Sequence, residues 1–137
     1  RETAQAKIFQ SKLLYVSGGN TFYLLQELKK KQLLSLIKEQ IADGMVYVGE
    51  SAGAIITTKD IDYNKLMDDK GVAAELHDTG ALNEVDFYVL PHVGEEPFVE
   101  SAQATLDTYS DQLNLLPLNN RQAVLVEGEE VKVLEDK

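Results

Sequence analysis

Short apolar runs alternate along this chain with segments whose apolar residues recur every three or four positions. The runs at residues 13–16 and 45–48 are typical of strands in a parallel sheet that is buried on both faces. The helical periodicity between them produces two apolar faces: Phe22, Leu25 and Leu28, followed by Leu33, Leu36, Ile37 and Ile41. This order of strands and helices predicts an α/β fold with a parallel central sheet and flanking helices.

The rest of the chain adds one segment without periodicity and a C-terminal group of short strands. Residues 1–10 predict an opening helix with Ala4, Ile8 and Phe9 on one side. Residues 59–82 are polar and rich in aspartate, so we expect a long active-site loop with short turns. The remaining predicted elements are a strand at 85–90, a helix at 98–109, and strands at 115–118, 122–126 and 131–134, the last two forming an antiparallel hairpin. We expect residues 1–137 to form a single domain.

The strand at residues 45–48 runs directly into Gly-Glu-Ser-Ala-Gly at residues 49–53, which is the spacing of a nucleophile elbow. Such a turn lifts one side chain above the sheet, and it needs small neighbours because the nucleophile adopts a strained backbone conformation. The small residues that follow favour a helix starting at Ser51, whose free N–H groups would face an oxyanion. Ser51 is therefore the predicted nucleophile, and the alternative is a structural turn without chemistry.

A serine nucleophile needs a base, and the chain contains two histidines, His77 and His92. His92 directly follows the predicted strand at 85–90, at the carboxyl end where parallel sheets place their sites. His77 lies in the acidic segment, where a surface position is the simpler interpretation. His92 is therefore the predicted base, and the alternative is a histidine that only satisfies backbone groups.

An acid to orient the imidazole and donors for an oxyanion complete the expected chemistry. Asp60 and Asp62 both follow the elbow helix and produce the chain order serine, aspartate, histidine, and we choose Asp60. Glu84, Asp86 and the pair Asp68-Asp69 are placed less well. The amide of Ala52 offers one oxyanion donor, and the backbone of Gly-Gly-Asn at residues 18–20 offers another.

Composition narrows the classes of function. The 137 residues carry a formal net charge of −10, which argues against nucleic acid as a partner. The absence of cysteine excludes a disulfide framework and a thiol nucleophile. No signal peptide and no apolar run long enough to span a bilayer are present in this sequence, so we expect a cytoplasmic location without membrane contact. We expect neither a metal nor a cofactor.

Three motifs, in order along the chain, resemble the peptidase E family. They are Gly-Gly-Asn-Thr-Phe at residues 18–22, Gly-Glu-Ser-Ala-Gly-Ala at 49–54 and Pro-His at 91–92. The resemblance implies a class I glutamine amidotransferase-like fold and a cytoplasmic serine peptidase, related to cyanophycinase, that hydrolyses dipeptides with an N-terminal aspartate. A small peptide would then be the substrate.

The same resemblance implies roles for individual residues. Ser51 would be the nucleophile, His92 the base, Gly19 and Ala52 the oxyanion donors, and Asp60, after Thr-Thr-Lys at residues 57–59, the acid. The chain departs from the family pattern where an acid is also described after the next strand, because this chain has asparagine at positions 119 and 120. Peptidase E proteins also begin with additional strand–helix units, so we expect a chain truncated at its N-terminus, which a homodimer could support.

Selectivity for aspartate in an acidic protein requires a local cation or a cluster of donors. The arginines are Arg1 and Arg121, and neutral donors are available at Asn20, Thr57 and Thr58. We expect Arg121 or these donors to hold the substrate carboxylate and a nearby acid to hold the free α-amino group. The alternative function is a catalytically silent or fragmentary member of the fold that acts as a binding or assembly module.

Overall fold

The structure, a computed structural model, describes residues 2–136, so Arg1 lies outside the described residues, as do the side chains of Ala4 and Phe9. The helices are α1 Glu2–Gln10, α2 Thr21–Lys30, α3 Leu34–Ala42, α4 Ala52–Ile55 and α5 Val99–Tyr109. The strands are β1 Leu13–Val16, β2 Val46–Gly49, β3 Tyr88–Leu90, β4 Leu115–Pro117, β5 Gln122–Glu127 and β6 Glu130–Glu135. The predicted α/β fold is confirmed. None of the helices within residues 2–136 has the length and apolar character that a bilayer crossing requires.

The strands form three separate pairs. β1 pairs with β2 in parallel, from Leu13 opposite Val46 to Val16 opposite Gly49, and β3 pairs with β4 in parallel. β5 and β6 form the predicted antiparallel hairpin. Within residues 2–136 no ladder joins these pairs, so the expected central sheet is present as two parallel pairs. The glutamine amidotransferase-like class stays a prediction.

One face of the β1–β2 pair is open, which corrects the expectation that both faces are buried. Leu13, Tyr15, Val46 and Val48 are 39–57% exposed, whereas the alternate residues of the same strands pack against the core. Successive side chains of a strand point to opposite faces, and the elements within the described residues cover only one of them. The apolar character of the runs therefore reports strand formation but not two-sided burial.

The helix α2 packs its apolar face into the core and begins at a capped position. Asn20 Oδ1 accepts a hydrogen bond from the Tyr23 amide at 3.1 Å, which satisfies one free donor of the first turn. Phe22 and Leu25 are completely buried, and each such side chain contributes about 1.5–3 kcal/mol through its burial. This capping fixes the direction in which the chain leaves β1, and it places Gly19 at the start of the helix.

The segment at residues 59–82 is a loop with two short 3₁₀ helices, Asp62–Leu66 and Lys70–Val72, in agreement with its lack of periodicity. Its anchor is Tyr63, whose buried hydroxyl donates to the carbonyl of Val89 and whose ring meets Tyr88 edge-on at 5.3 Å. The loop is thereby fixed to β3, the strand that leads to His92.

Candidate active site

The elbow at Ser51 has the strained geometry that its spacing predicts. Ser51 has φ 55° and ψ −113°, a conformation that costs a non-glycine residue about 1–3 kcal/mol. A Cβ at Gly49 would overlap the carbonyl of Gly53, and a Cβ at Gly53 would overlap the carbonyl of Val16. Only glycine therefore permits the close approach of β1, β2 and α4 that lifts the Ser51 side chain.

The side chains of Ser51 and His92 are in direct contact. Ser51 Oγ lies 2.9 Å from His92 Nε2, within hydrogen-bond distance. His92 leaves the end of β3 with φ 66°, and its ring stacks on Phe98 with centroids 4.8 Å apart and planes inclined by 17°. The turn and the stacked phenyl ring hold the imidazole over the serine. The other histidine of the chain, His77, is exposed on the loop at residues 59–82.

The second nitrogen of His92 is held by Asn120, a residue to which sequence reasoning gave no role. His92 Nδ1 lies 2.8 Å from Asn120 Oδ1. With this oxygen as acceptor, Nδ1 carries the proton and the Nε2 lone pair faces Ser51. Asn120 follows β4, which runs parallel to β3, so their carboxyl ends lie at one edge. The pair of asparagines where the family pattern has an acid was the signal that could have identified it.

Asp60 does not contact His92, and this corrects its assignment as the orienting acid. Its Oδ1 accepts hydrogen bonds from the Asp62 amide at 2.9 Å and from Thr79 Oγ1 at 2.6 Å. The chain after α4 pairs with residues 80–84 through backbone hydrogen bonds, and this pairing keeps Asp60 in the loop. The alternative acid, Asp62, pairs with Lys70 and Lys65 at the surface, and the hydrogen bond from Lys70 is the main cause that lowers the pKa of its carboxyl.

The two predicted oxyanion donors flank the nucleophile. A Cβ on Gly18 would lie 3.3 Å from Ser51 Cβ, so the Gly-Gly turn passes directly beside the serine. Gly19, at φ 124°, lines the cavity in front of Ser51, whereas Ala52, the residue after Ser51, is fully buried and is not among the lining residues. Within residues 2–136 neither the Gly19 nor the Ala52 amide donates a hydrogen bond. Both N–H groups are therefore unpaired beside the nucleophile.

Most of the residues predicted to bind the substrate carboxylate form hydrogen bonds within the protein. Thr57 and Thr58 donate their hydroxyl hydrogens to the carbonyls of Ala54 and Ile55, as hydroxyls at a helix end commonly do. Asn20 caps α2 and donates from Nδ2 to the carbonyl of Asp69 at 3.0 Å. These hydrogen bonds stabilise turns, and the assignment of the three side chains as substrate donors stays a prediction. Arg121 lines a neighbouring groove together with Asn120.

A cavity of about 260 Å³ opens in front of Ser51 and His92. Its lining consists of Gly19, Ser51, Ile55, Asn64, Met67, Asp68, Pro91, His92 and Phe98. Asn64 and Asp68 are polar lining residues that the sequence analysis did not place in a binding site, because nothing in the local pattern distinguishes them within an acidic loop. Asp68 Oδ2 accepts hydrogen bonds from the Thr21 amide at 2.8 Å, from Thr21 Oγ1 at 2.6 Å and from Asn64 Nδ2 at 3.1 Å.

Comparison with known proteins yields relatives along most of the chain. An uncharacterized peptidase of Pasteurella multocida is 52% identical over 123 residues, which are 90% of this chain and 59% of that protein. A peptidase E of Shewanella is 40% identical over 79 residues, 58% of this chain and 32% of that protein. A crystal structure of a candidate peptidase E from Listeria monocytogenes superimposes with a TM-score of 0.94 at 40% identity, covering 99% of this chain and 65% of that one.

The share of each relative that this chain covers determines whether the relatives show its family or also its activity. The chain spans 59–61% of the length of three curated relatives, so the activity of a whole relative is not automatically that of this chain. The match to peptidase family S51 covers residues 1–134. The resemblance seen in the three motifs is confirmed, and the chain belongs to peptidase family S51.

Proposed function

We propose that this chain is a serine exopeptidase that hydrolyses dipeptides with an N-terminal aspartate. The observation that carries the proposal is the contact of Ser51 Oγ with His92 Nε2 at 2.9 Å, at the tip of a strained elbow. Asn120 takes the orienting place that the sequence assigned to Asp60. Asparagine also orients the catalytic histidine in the cysteine–histidine–asparagine set of papain-like proteases, so an amide oxygen can hold an imidazole in the tautomer that a base requires.

The geometry fits the proton transfers of acyl transfer. His92 Nε2 accepts the Ser51 hydroxyl proton as Oγ bonds to the peptide carbonyl carbon, and the resulting oxyanion accepts hydrogen bonds from the Gly19 and Ala52 amides. The imidazolium then donates that proton to the leaving amine as the C–N bond breaks. Water attacks the acyl ester with His92 again as base, and the proton returns to Ser51 Oγ. Asn120 keeps the ring in the required tautomer throughout.

The size of the cavity supports a short substrate. A cavity of about 150 Å³ holds a benzene molecule, so 260 Å³ accommodates one terminal residue and its flanking atoms. The family resemblance supports aspartate as that residue. Arg121 and Asn120 line the same groove, and Asn120 contacts His92. We therefore propose that the Arg121 guanidinium binds the side-chain carboxylate of the substrate's aspartate.

Hydrolysis of aspartyl p-nitroanilide beside the alanyl and leucyl analogues tests the proposal, with Ser51→Ala as the control. We expect turnover with the aspartyl substrate and a loss of at least about a thousandfold in the variant. An Arg121→Gln variant is expected to lose the preference for aspartyl over alanyl substrate while retaining its reactivity toward a fluorophosphonate. Equal turnover of all three substrates would overturn the aspartate specificity alone.

The alternative function is a catalytically silent member that acts as a binding or assembly module. The open apolar face formed by Leu13, Tyr15, Val46 and Val48 favours it, because such a face suits a protein contact. Fluorophosphonate labelling separates the two functions: labelling that disappears in Ser51→Ala supports the enzyme, and a folded protein that resists labelling supports the module. A homodimer and a cytoplasmic location remain part of the proposal.

A further inference from the structure

We infer that Asn64 and Asp68 form the subsite that binds the free α-ammonium group of the peptide substrate. The inference rests on the proposed peptidase function and identifies the part of the cavity that recognises the substrate's N-terminus. Both residues line the cavity that contains Ser51 and His92. They come from the loop at residues 59–82, which supplies no group to the Ser51–His92–Asn120 set.

Asp68 is a partly buried carboxylate in which a single oxygen accepts all the hydrogen bonds from the described residues. Its three hydrogen bonds from Thr21 and Asn64 all reach Oδ2, and they fix the carboxylate at the first turn of α2. Within residues 2–136 Asp68 forms no ion pair, and no hydrogen bond reaches its Oδ1. The cavity thus contains an immobilised negative charge that the described residues do not pair with a cation.

Asn64 supplies a second acceptor without a partner. The residue is 1% exposed, and Nδ2 donates both to Thr21 Oγ1 and to Asp68 Oδ2 at 3.1 Å. These bonds fix the amide orientation, and they leave Oδ1 buried with no hydrogen-bond partner in the described structure. A buried acceptor without a donor destabilises the folded protein, and a ligand N–H at this position would remove that cost.

An ammonium group is the ligand that satisfies both acceptors. It carries three N–H donors and a positive charge, so it can bind Asp68 and Asn64 together. A carboxylate would be repelled by Asp68, which separates this end of the cavity from the position assigned to the aspartate side chain. When the N-terminus of the substrate is bound at this subsite, cleavage is limited to the first peptide bond. This limit is the defining property of an aminopeptidase.

Calorimetric binding to the Ser51→Ala protein tests the subsite without turnover. The first pair of ligands is Asp-Leu and succinyl-Leu, which differ only in the α-amino group. The second pair, Ala-Leu and propionyl-Leu, differs in the same way but lacks the aspartate side chain, so it tests the α-amino group independently of aspartate specificity. We expect the amino form of at least one pair to bind at least about tenfold more tightly. Adding Asp68→Asn should abolish that preference, and adding Asn64→Leu should reduce it.

Asp69→Asn is the matched control, because Asp69 carries the same charge next to Asp68 and its side chain accepts from the Gly71 amide outside the cavity. It should leave the preference for the amino form intact. Equal affinity for both members of each pair, no measurable binding, or a preference that survives in folded Asp68→Asn would overturn the inference. Should Asp68→Asn fail to fold, the ligand pairs and Asn64→Leu decide the question.

The test also separates the subsite from the proposed function. A protein that prefers the amino ligands but does not hydrolyse any p-nitroanilide has the subsite and lacks the proposed activity. A protein that hydrolyses aspartyl and succinyl p-nitroanilides equally is a peptidase without an ammonium subsite.

Discussion

The elbow at Ser51 and the loop at residues 59–82 line the same cavity but are held in place by different forces. Backbone crowding holds the elbow, where the Gly53 carbonyl and Val16 leave no room for side-chain atoms. Side-chain hydrogen bonds hold the loop, through Tyr63 to β3 and through Asp68 to α2. Crowding in the elbow depends on the size of residues at fixed spacing in the sequence, whereas the loop depends on hydrogen-bond partners up to 49 residues distant. The elbow is therefore the less adaptable of the two regions.

The largest expected effect is that of Gly53→Ala in the elbow. The added methyl group would overlap the backbone carbonyl of Val16, which cannot move without breaking the β1–β2 contact. We expect a loss of about 3 kcal/mol or more in the free energy of unfolding, measured by urea denaturation.

Gly71→Ala in the loop is the matched control for that substitution. Its methyl group would meet Asp69 Oδ1 at 3.0 Å, and this is a side-chain atom that can rotate away. We expect a loss of about 1 kcal/mol or less. Equal losses for the two variants would contradict the distinction between a region held by backbone and one held by side chains.

The next effect concerns Asn120, which links the elbow site to the end of β4. Asn120→Leu removes the acceptor for His92 Nδ1, and we expect kcat/KM to fall about a hundredfold with little change in stability. Asn120→Asp retains an acceptor at that position and should stay within about tenfold of the unaltered protein. A positioning role requires this rescue, and equal loss in both variants would contradict it.

The parts of the site that sequence could predict are those with local physical causes. Ser51 follows from small residues around a strand end, and His92 follows from its position directly after an apolar strand. Their contact is a consequence of both strands ending toward the cavity. The helix bounds were also close to those predicted, because helical periodicity and capping act within a few residues.

The parts that sequence could not predict depend on distant partners. Asp60 fits the chain order expected of an acid, but backbone pairing of residues 57–59 with residues 81–84 takes it away from His92. Asn120 reaches His92 only because β3 and β4 are parallel neighbours, a pairing that no local pattern contains. Asn64 and Asp68 bond to each other directly, but what fixes both of them against α2 is Thr21, which lies more than forty residues earlier.

Two tyrosines, the partly buried Tyr47 beside the elbow and the buried Tyr63 in the loop, give a smaller effect and a pH dependence. The Tyr47 hydroxyl donates to the Gly53 carbonyl at 2.6 Å, and that of Tyr63 donates to Val89. Each phenylalanine substitution leaves a buried carbonyl without its partner and should cost about 1–2 kcal/mol. A larger loss in Tyr47→Phe than in Tyr63→Phe would sharpen the contrast between the regions.

The same tyrosines predict sensitivity to alkaline pH. Burial raises the pKa of both phenols above the ordinary value of 10.0. Because the folded pKa is the higher one, their contribution to stability is complete below pH 10 and is lost as the pH rises, by up to about 1.4 kcal/mol per pH unit for each tyrosine. Urea midpoints measured between pH 9 and 11 should decline less steeply in each phenylalanine variant. Equal slopes in the variants and the unaltered protein would contradict the assignment.

The smallest effect tests the strain at the nucleophile itself. Ser51→Gly and Ser51→Ala both remove the hydroxyl, so both should lack activity, but only glycine adopts φ 55° and ψ −113° without steric cost. We expect Ser51→Gly to unfold with a free energy about 1 kcal/mol higher than Ser51→Ala, even though glycine gains more entropy in the unfolded chain. A relaxed elbow would instead favour alanine. Because the two variants share the loss of the hydrogen bond to His92, the difference between them isolates the backbone strain that presents the serine to its substrate.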